Sequence, residues 1–164
     1  MNNLNKLIGL RPATADDDAF QLEVYKSSRG DDLRELGWEE DRISEFLEMQ
    51  YEAQQRLYET ENESATSVVL LEEQPAGYLI VERREQEIRC VDLALLPGQR
   101  NAGVGAFLVR ELQDEAGREG KPLRLQVIRF SRAVNLFERL GFTRTSETGT
   151  HFQMEWRSES AAGQ

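Results

Sequence analysis

Leu93-Ala-Leu-Leu-Pro-Gly-Gln-Arg-Asn-Ala-Gly-Val-Gly-Ala-Phe-Leu-Val-Arg-Glu-Leu112 is the stretch on which the fold turns. Its first residues end an apolar run that Pro97 stops, because proline has no amide hydrogen to continue a ladder. Its last residues place Val104, Phe107, Leu108 and Leu112 at i, i+3, i+4 and i+8, one face of an amphipathic helix predicted over Val104 to Glu119. Between strand and helix lies Arg100-Asn-Ala-Gly-Val-Gly105. The first amides of a helix have no intrahelical partner and sit at the positive end of its dipole, so such an end suits a phosphate. Glycines let the backbone come close, and Arg100 adds a cation. A dinucleotide-binding loop fits poorly, since the third glycine position of G-x-G-x-x-G falls on Leu108 and a meander precedes the loop.

Upstream, residues 7 to 11 read as a first strand closed by Pro12, followed by a helix start in which Thr14 and Asp17 have capping-box spacing and a helix to about Ser27. Ile43, Phe46, Leu47, Tyr51, Leu57 and Tyr58 predict a second, longer helix. From Ser67 three strands follow as an antiparallel meander, with turns expected at Gln74-Pro75 and Glu85-Gln86 and the third strand over Glu87 to Leu96. Downstream, Leu123 to Ile128 reads as a strand. Ala133, Leu136, Phe137 and Leu140 form a short helix stopped at Gly141, and Thr150 to Trp156 is a last strand with Phe152, Met154 and Trp156 on one face. The predicted order is β-α-α-β-β-β-α-β-α-β-β, an α/β chain with a mixed, mostly antiparallel central sheet flanked by helices.

The length of 164 residues suits one domain, taken as 1–157, with 158–164 as a polar tail expected to be disordered. Thirty acids against twenty bases give a net charge of -10, which argues against nucleic acid and anionic membrane surfaces as partners. The acids concentrate early, with 16 against 7 bases in residues 1–66. Cys90 and His151 are the only cysteine and histidine, too few for a four-ligand zinc site, and a reducing, cytoplasmic setting fits. The start lacks an apolar core, and the longest apolar runs are short, so neither export nor membrane insertion is expected.

With these motifs in view, the sequence resembles the GNAT superfamily of acyl-CoA-dependent N-acyltransferases. Their cofactor motif, a strand, Arg/Gln-x-x-Gly-x-Gly/Ala and a helix, matches Leu93 to Leu112. Their second, a short helix ending Leu-Gly-Phe, matches Asn135-Leu-Phe-Glu-Arg-Leu-Gly-Phe142. The motifs stand in the family's order with a strand between them, and the resemblance spans about residues 8 to 156. It implies acetyl-CoA as co-substrate, lying between splayed strands, here Glu87 to Leu96 and Leu123 to Ile128. The backbone around Leu93, Ala94 and Leu95 pairs with the pantetheine arm and acetyl carbonyl. The amides of Arg100, Asn101, Ala102, Gly103, Val104, Gly105 and Ala106 hold the pyrophosphate, and one backbone N–H serves as oxyanion donor. No metal is implied. The acceptor is an amine, and a homodimer is possible by analogy.

The match also departs from the family. Where members carry a tyrosine that protonates the departing thiolate, this chain has Phe137, which has no proton to give. It is either a core residue or a wall for the pantetheine arm. The asparagine common at the start of that helix falls on Phe130 or Ser131. A thiol with a pKa of about 8.5 can leave as thiolate at modest cost, so acetyl transfer by direct attack remains the reading, with a catalytically reduced acyl-CoA-binding or regulatory module, or a scaffold, as rivals. For the base, Asp92 stands out as an acid between Val91 and Leu93 in a strand, with a structural ion pair as its other explanation. Glu82 is the weaker candidate, placed opposite Arg89 across the turn. His151 is expected at an exposed or edge position, Cys90 in the core, and Trp38 as a hydrophobic staple or a wall of the acceptor pocket. Asp31, Asp32, Glu35, Glu39, Glu40 and Asp41 lie where the family's first helices line the acceptor side. They would concentrate a cationic amine, a small molecule or basic peptide end, or simply form a solvated surface.

Overall fold

The computed structural model describes residues 7–60, 64–99 and 103–159. The chain runs β1 (Ile8–Pro12), α1 (Asp18–Glu35), α2 (Glu40–Thr60), β2 (Ser64–Leu71), β3 (Gln74–Arg83), β4 (Ile88–Leu95), α3 (Val104–Glu119), β5 (Leu123–Ile128), α4 (Ala133–Arg139), β6 (Thr143–Glu147) and β7 (His151–Trp156). The order is the one expected. A single 3-10 turn, Ala15–Asp17, leads into α1. There the Asp17 carboxylate accepts from the Thr14 amide at 2.8 Å and from both terminal nitrogens of Arg11 at 2.9 Å, so the capping box is joined to β1 by an ion pair.

Two local expectations are corrected. The first helix does not end near Ser27 but runs to Glu35. The Ser27 and Ser28 hydroxyls bond back to the carbonyls of Val24 and Tyr25 at 3.0 Å, and Gly30 is buried in the helix with Ile43 of α2 close to it. Serine and glycine look like punctuation in sequence, but tertiary packing overrides that preference. The turn before β3 is not Gln74-Pro75 but Glu72-Glu73, both at positive φ (51° and 69°), a left-handed pair that suits a two-residue hairpin. Pro75 stands near the start of the strand, where a missing donor is tolerated.

Seven strands are hydrogen-bonded in the order β1-β2-β3-β4-β5-β7-β6. Pairing is antiparallel between β1 and β2, β5 and β7, and β6 and β7, and parallel between β4 and β5. Strand β1 contains Pro12, and β6 carries a bulge between Arg144 and Ser146. The fold has two compact units. One holds the described residues up to Ile80 together with Asp92–Gln99, and the other holds Val81–Val91 and the described residues from Gly103. Strands β3 and β4 each contribute residues to both.

In the first unit, Val24, Tyr25, Ile43, Leu47, Val68, Val69, Tyr78, Leu79 and Ile80 form the core. In the second, α3 turns Val104, Leu108, Val109, Leu112 and Ala116 inward, while Leu123, Leu125, Phe142 and Met154 are buried from the strand side. No described helix is long and apolar enough to cross a membrane.

The tightest backbone contact is at Gly77 in β3. A Cβ there would lie 2.2 Å from the Ala94 carbonyl oxygen and 2.9 Å from the Leu95 Cα, so only glycine lets β4 come this close. The Leu96 amide closes the same region by donating to the Ala76 carbonyl at 2.8 Å. Gly77→Ala is expected to lower stability by about 1–3 kcal/mol through backbone displacement, read as a lower urea midpoint.

The Arg11–Asp17 pair yields a pH dependence. Arg11's hydrogen bonds, then the Thr14 amide, hold the Asp17 carboxyl well below its ordinary value of 3.8. A depressed folded-state pKa contributes stability that is fully present above 3.8 and shrinks as pH falls below it. Asp17→Asn should therefore flatten the stability curve between neutral pH and the acid range in chemical denaturation across a pH series.

Candidate active site

Helix α3 begins after Gly103, which has φ +83°, a left-handed conformation that favours glycine. The Phe107 amide reaches back to the Gly103 carbonyl at 3.0 Å. Helical geometry gives the amides of Val104, Gly105 and Ala106 no carbonyl four residues back within the helix. The first turn carries no acidic residue, so no side chain cancels the dipole there. Val104 is 1 % exposed, which fixes the start of the helix in the core. Further along, Gln113 donates to the Leu140 carbonyl at 2.8 Å. This end of α3 therefore fits a phosphate-bearing ligand. Arg100, Asn101 and Ala102, expected to complete the loop, lie outside the described residues.

Strand β4 supplies Leu93, Ala94 and Leu95, with Ala94 and Leu95 buried and Leu93 half-buried. Its parallel ladder with β5 comprises Ile88↔Leu123, Arg89↔Arg124 and Cys90↔Leu125. Beyond Cys90, β4 is held on its β3 side by the approach at Gly77.

Asp92 is the polar centre of the first unit. Its Oδ2 accepts from Arg29 Nη2 at 3.0 Å and from the Tyr78 hydroxyl at 2.7 Å. Arg29, on α1, lies over the Tyr25 ring at 4.1 Å and donates from Nη1 to the Ser28 hydroxyl at 3.0 Å. Tyr25 and Tyr78 are each 1 % exposed, while the Arg29 and Asp92 side chains are 31 % and 13 % exposed. Burial, and then the Asp92 charge, push the Tyr78 phenol far above its ordinary value, so it stays a protonated donor. Burial works against the Arg29 charge, but Asp92 together with Tyr78 and Tyr25 outweighs it and the guanidinium ends above its usual value. The ion pair weighed for Asp92 is present, and one of its oxygens remains for other work.

Sequence reasoning missed Arg29 and Tyr78. The four-residue spacing of Tyr25 and Arg29 on a helix was a usable signal, since it brings a guanidinium over a ring. Tyr78 gave none beyond lying in an apolar run.

The other candidates fall elsewhere. Phe137 is half-buried and packs edge-on against Phe142, with ring centres 5.5 Å apart. Phe130 is 88 % exposed, and Ser131 Oγ accepts from the Ala133 amide at 3.1 Å, taking up one free amide at the start of α4. Glu82 is buried and ion-paired with Arg84 at 2.7 Å, while Arg89 meets Glu87 at 3.3 Å. Cys90 is buried. His151 is half-buried, its Nδ1 2.7 Å from the Thr150 hydroxyl. Trp38 packs on Phe46 at 5.2 Å, with Arg42 over its ring. In the acidic stretch, Arg34 joins Asp31 to Glu40.

A mixed sheet of this strand order, with a left-handed glycine opening a helix at the end of the loop that follows β4, is the fold of the GNAT acetyltransferases. The family model described as acetyltransferase (GNAT) domain matches residues 33–156, and the chain belongs to that family. Among solved structures, the PaiA N-acetyltransferase from Thermoplasma acidophilum in complex with coenzyme A is 18% identical, with a TM-score of 0.74 over 92% of this chain and 99% of that one. An acetyltransferase from Thermus thermophilus is 18% identical at a TM-score of 0.67, covering 93% and 97%. A GNAT family acetyltransferase from Elizabethkingia anophelis with acetyl-CoA bound is 12% identical at 0.60, covering 92% and 98%. None of the curated proteins searched matches the chain.

Removing the Tyr78 hydroxyl leaves Asp92 with one charged donor in a largely dry setting. Tyr78→Phe should keep the fold but lose about 1–3 kcal/mol of unfolding free energy, measurable by equilibrium denaturation.

Proposed function

We propose that the protein, with residues 1–157 as one domain, is an N-acetyltransferase that moves the acetyl group of acetyl-CoA to an amine by direct attack. The observation that carries this reading is Gly103 at positive φ, opening the free amides of α3 at the end of the loop that follows β4 in a chain of the GNAT family. The amides of Gly103, Val104, Gly105 and Ala106, continued by Arg100, Asn101 and Ala102, hold the pyrophosphate. The backbone of Leu93, Ala94 and Leu95 aligns the thioester, and Phe137 lends an apolar surface to the pantetheine arm.

Asp92 acts as base through Oδ1, taking the ammonium proton by way of water. The nitrogen lone pair then attacks the thioester carbon, a backbone N–H stabilises the oxygen that becomes negative, and the C–S bond breaks. The sulfur leaves as thiolate and takes its proton from solvent, since Phe137 has none to give. The acceptor is an amine, carried in its ammonium form by a small molecule or a peptide. A second reading, a catalytically reduced acyl-CoA-binding module, is favoured by the ring of Phe137 standing where a tyrosine hydroxyl would otherwise donate.

Calorimetric titration with acetyl-CoA is expected to give a Kd in the micromolar range, about -8 kcal/mol. Gly103→Val should abolish that heat while circular dichroism stays unchanged. No heat up to millimolar ligand would falsify both readings. Binding without turnover on a wide amine panel leaves only the second, and a gain of turnover in Phe137→Tyr restores the first.

A further inference from the structure

The contacts of Asp92 bear on which amine is accepted, given the transferase reading above on which this rests. Both of its protein donors converge on Oδ2, and no described residue donates to Oδ1. Among the described residues, Arg29 donates from Nη1 to Ser28 and from Nη2 to Asp92 and also interacts with the Tyr78 hydroxyl, which leaves N–H groups of its five to spare. The rings of Tyr25 and Tyr78 give the pair a dry side, while the Arg29 side chain stays 31 % exposed. A free acceptor on an anion thus stands beside free donors on a cation, with a combined charge of zero.

An alkylammonium that approaches Oδ1 also meets the field of Arg29, and a polyamine meets it more than once. An amine that carries its own carboxylate meets both charges with the right sign, and a guanidinium matches a carboxylate in a planar, two-point geometry. In the acidic stretch, Asp31 and Glu40 are already joined through Arg34, so the field there is less negative than the count of acids suggests.

We propose that the acceptor is an aminocarboxylate, its nitrogen directed by Asp92 Oδ1 and its carboxylate held by Arg29, which makes Arg29 a specificity-determining residue.

Acetyl-CoA binding is established first by calorimetry, because its absence sinks the transferase reading and this inference together. Release of thiol from acetyl-CoA is then followed with glycine, β-alanine, 4-aminobutyrate and 6-aminohexanoate, each against the alkylamine of matching chain length, with spermidine as the polycation. For the best aminocarboxylate, kcat/KM should exceed that of its alkylamine partner by at least about tenfold. Arg29→Gln should bring this ratio close to one, and Arg29→Lys should keep part of it. A ratio taken within each variant cancels any general loss from weakened packing. Preference for spermidine or alkylamines, turnover of none of the panel, or an unchanged ratio in Arg29→Gln overturns the inference while acetyl-CoA binding stands.

Discussion

The arrangement of the first unit depends on one close approach, that of the Ala94 carbonyl to the backbone of Gly77. A sheet can bring two strands to hydrogen-bonding distance with any side chains, but here the carbonyl occupies the space where every other residue keeps its Cβ. The end of β4 is thereby fixed before any side chain is considered. Asp92 and Ala94 then share one face and Leu93 and Leu95 the other, since side chains alternate along a strand. The loop that follows leaves from a rigid point. Precision at the site comes from backbone packing, with side-chain chemistry placed upon it.

Charge is handled differently in the two units. In the first, Asp92 sits among two tyrosine rings and a guanidinium, a setting in which removal of one partner leaves a costly residue behind. In the second, Arg124 bridges Glu87 and Glu155 at 3.3 and 3.1 Å with a third of its side chain exposed, and such pairs contribute little. An acid in a strand thus carries different information at different places. Glu82, also buried in a strand, has a neighbouring arginine two residues on, and Asp92 has a partner 63 residues away in sequence.

The order of elements was legible because periodicity and punctuation agree almost everywhere. The helix from Val104 to Glu119 and the left-handed Gly141 stand where spacing and glycine place them. What was not legible came from contacts distant in sequence. Gly30 looks like a stop and lies inside a helix because Ile43 packs near it, and Glu72-Glu73 turns although neither residue favours it. At the site, the glycine motif and the unusual acid were visible, but the partners of that acid were not. Arg29 and Tyr78 reach Asp92 from a helix and a strand that no spacing rule relates. Phe137 shows the opposite case, since a missing hydroxyl is read from sequence alone.

The two outermost strands carry a further consequence. An open sheet ends in rows of unpaired amides and carbonyls that can recruit another chain. Here β1 ends in a residue that cannot donate, Pro12, and β6 is interrupted by its bulge between Arg144 and Ser146 and is exposed along its whole length with charges at Arg144 and Glu147. Neither border offers a straight, apolar template. Lateral growth into a continuous sheet is disfavoured at both ends, which protects a chain with this many strands against fibrillar assembly while it folds.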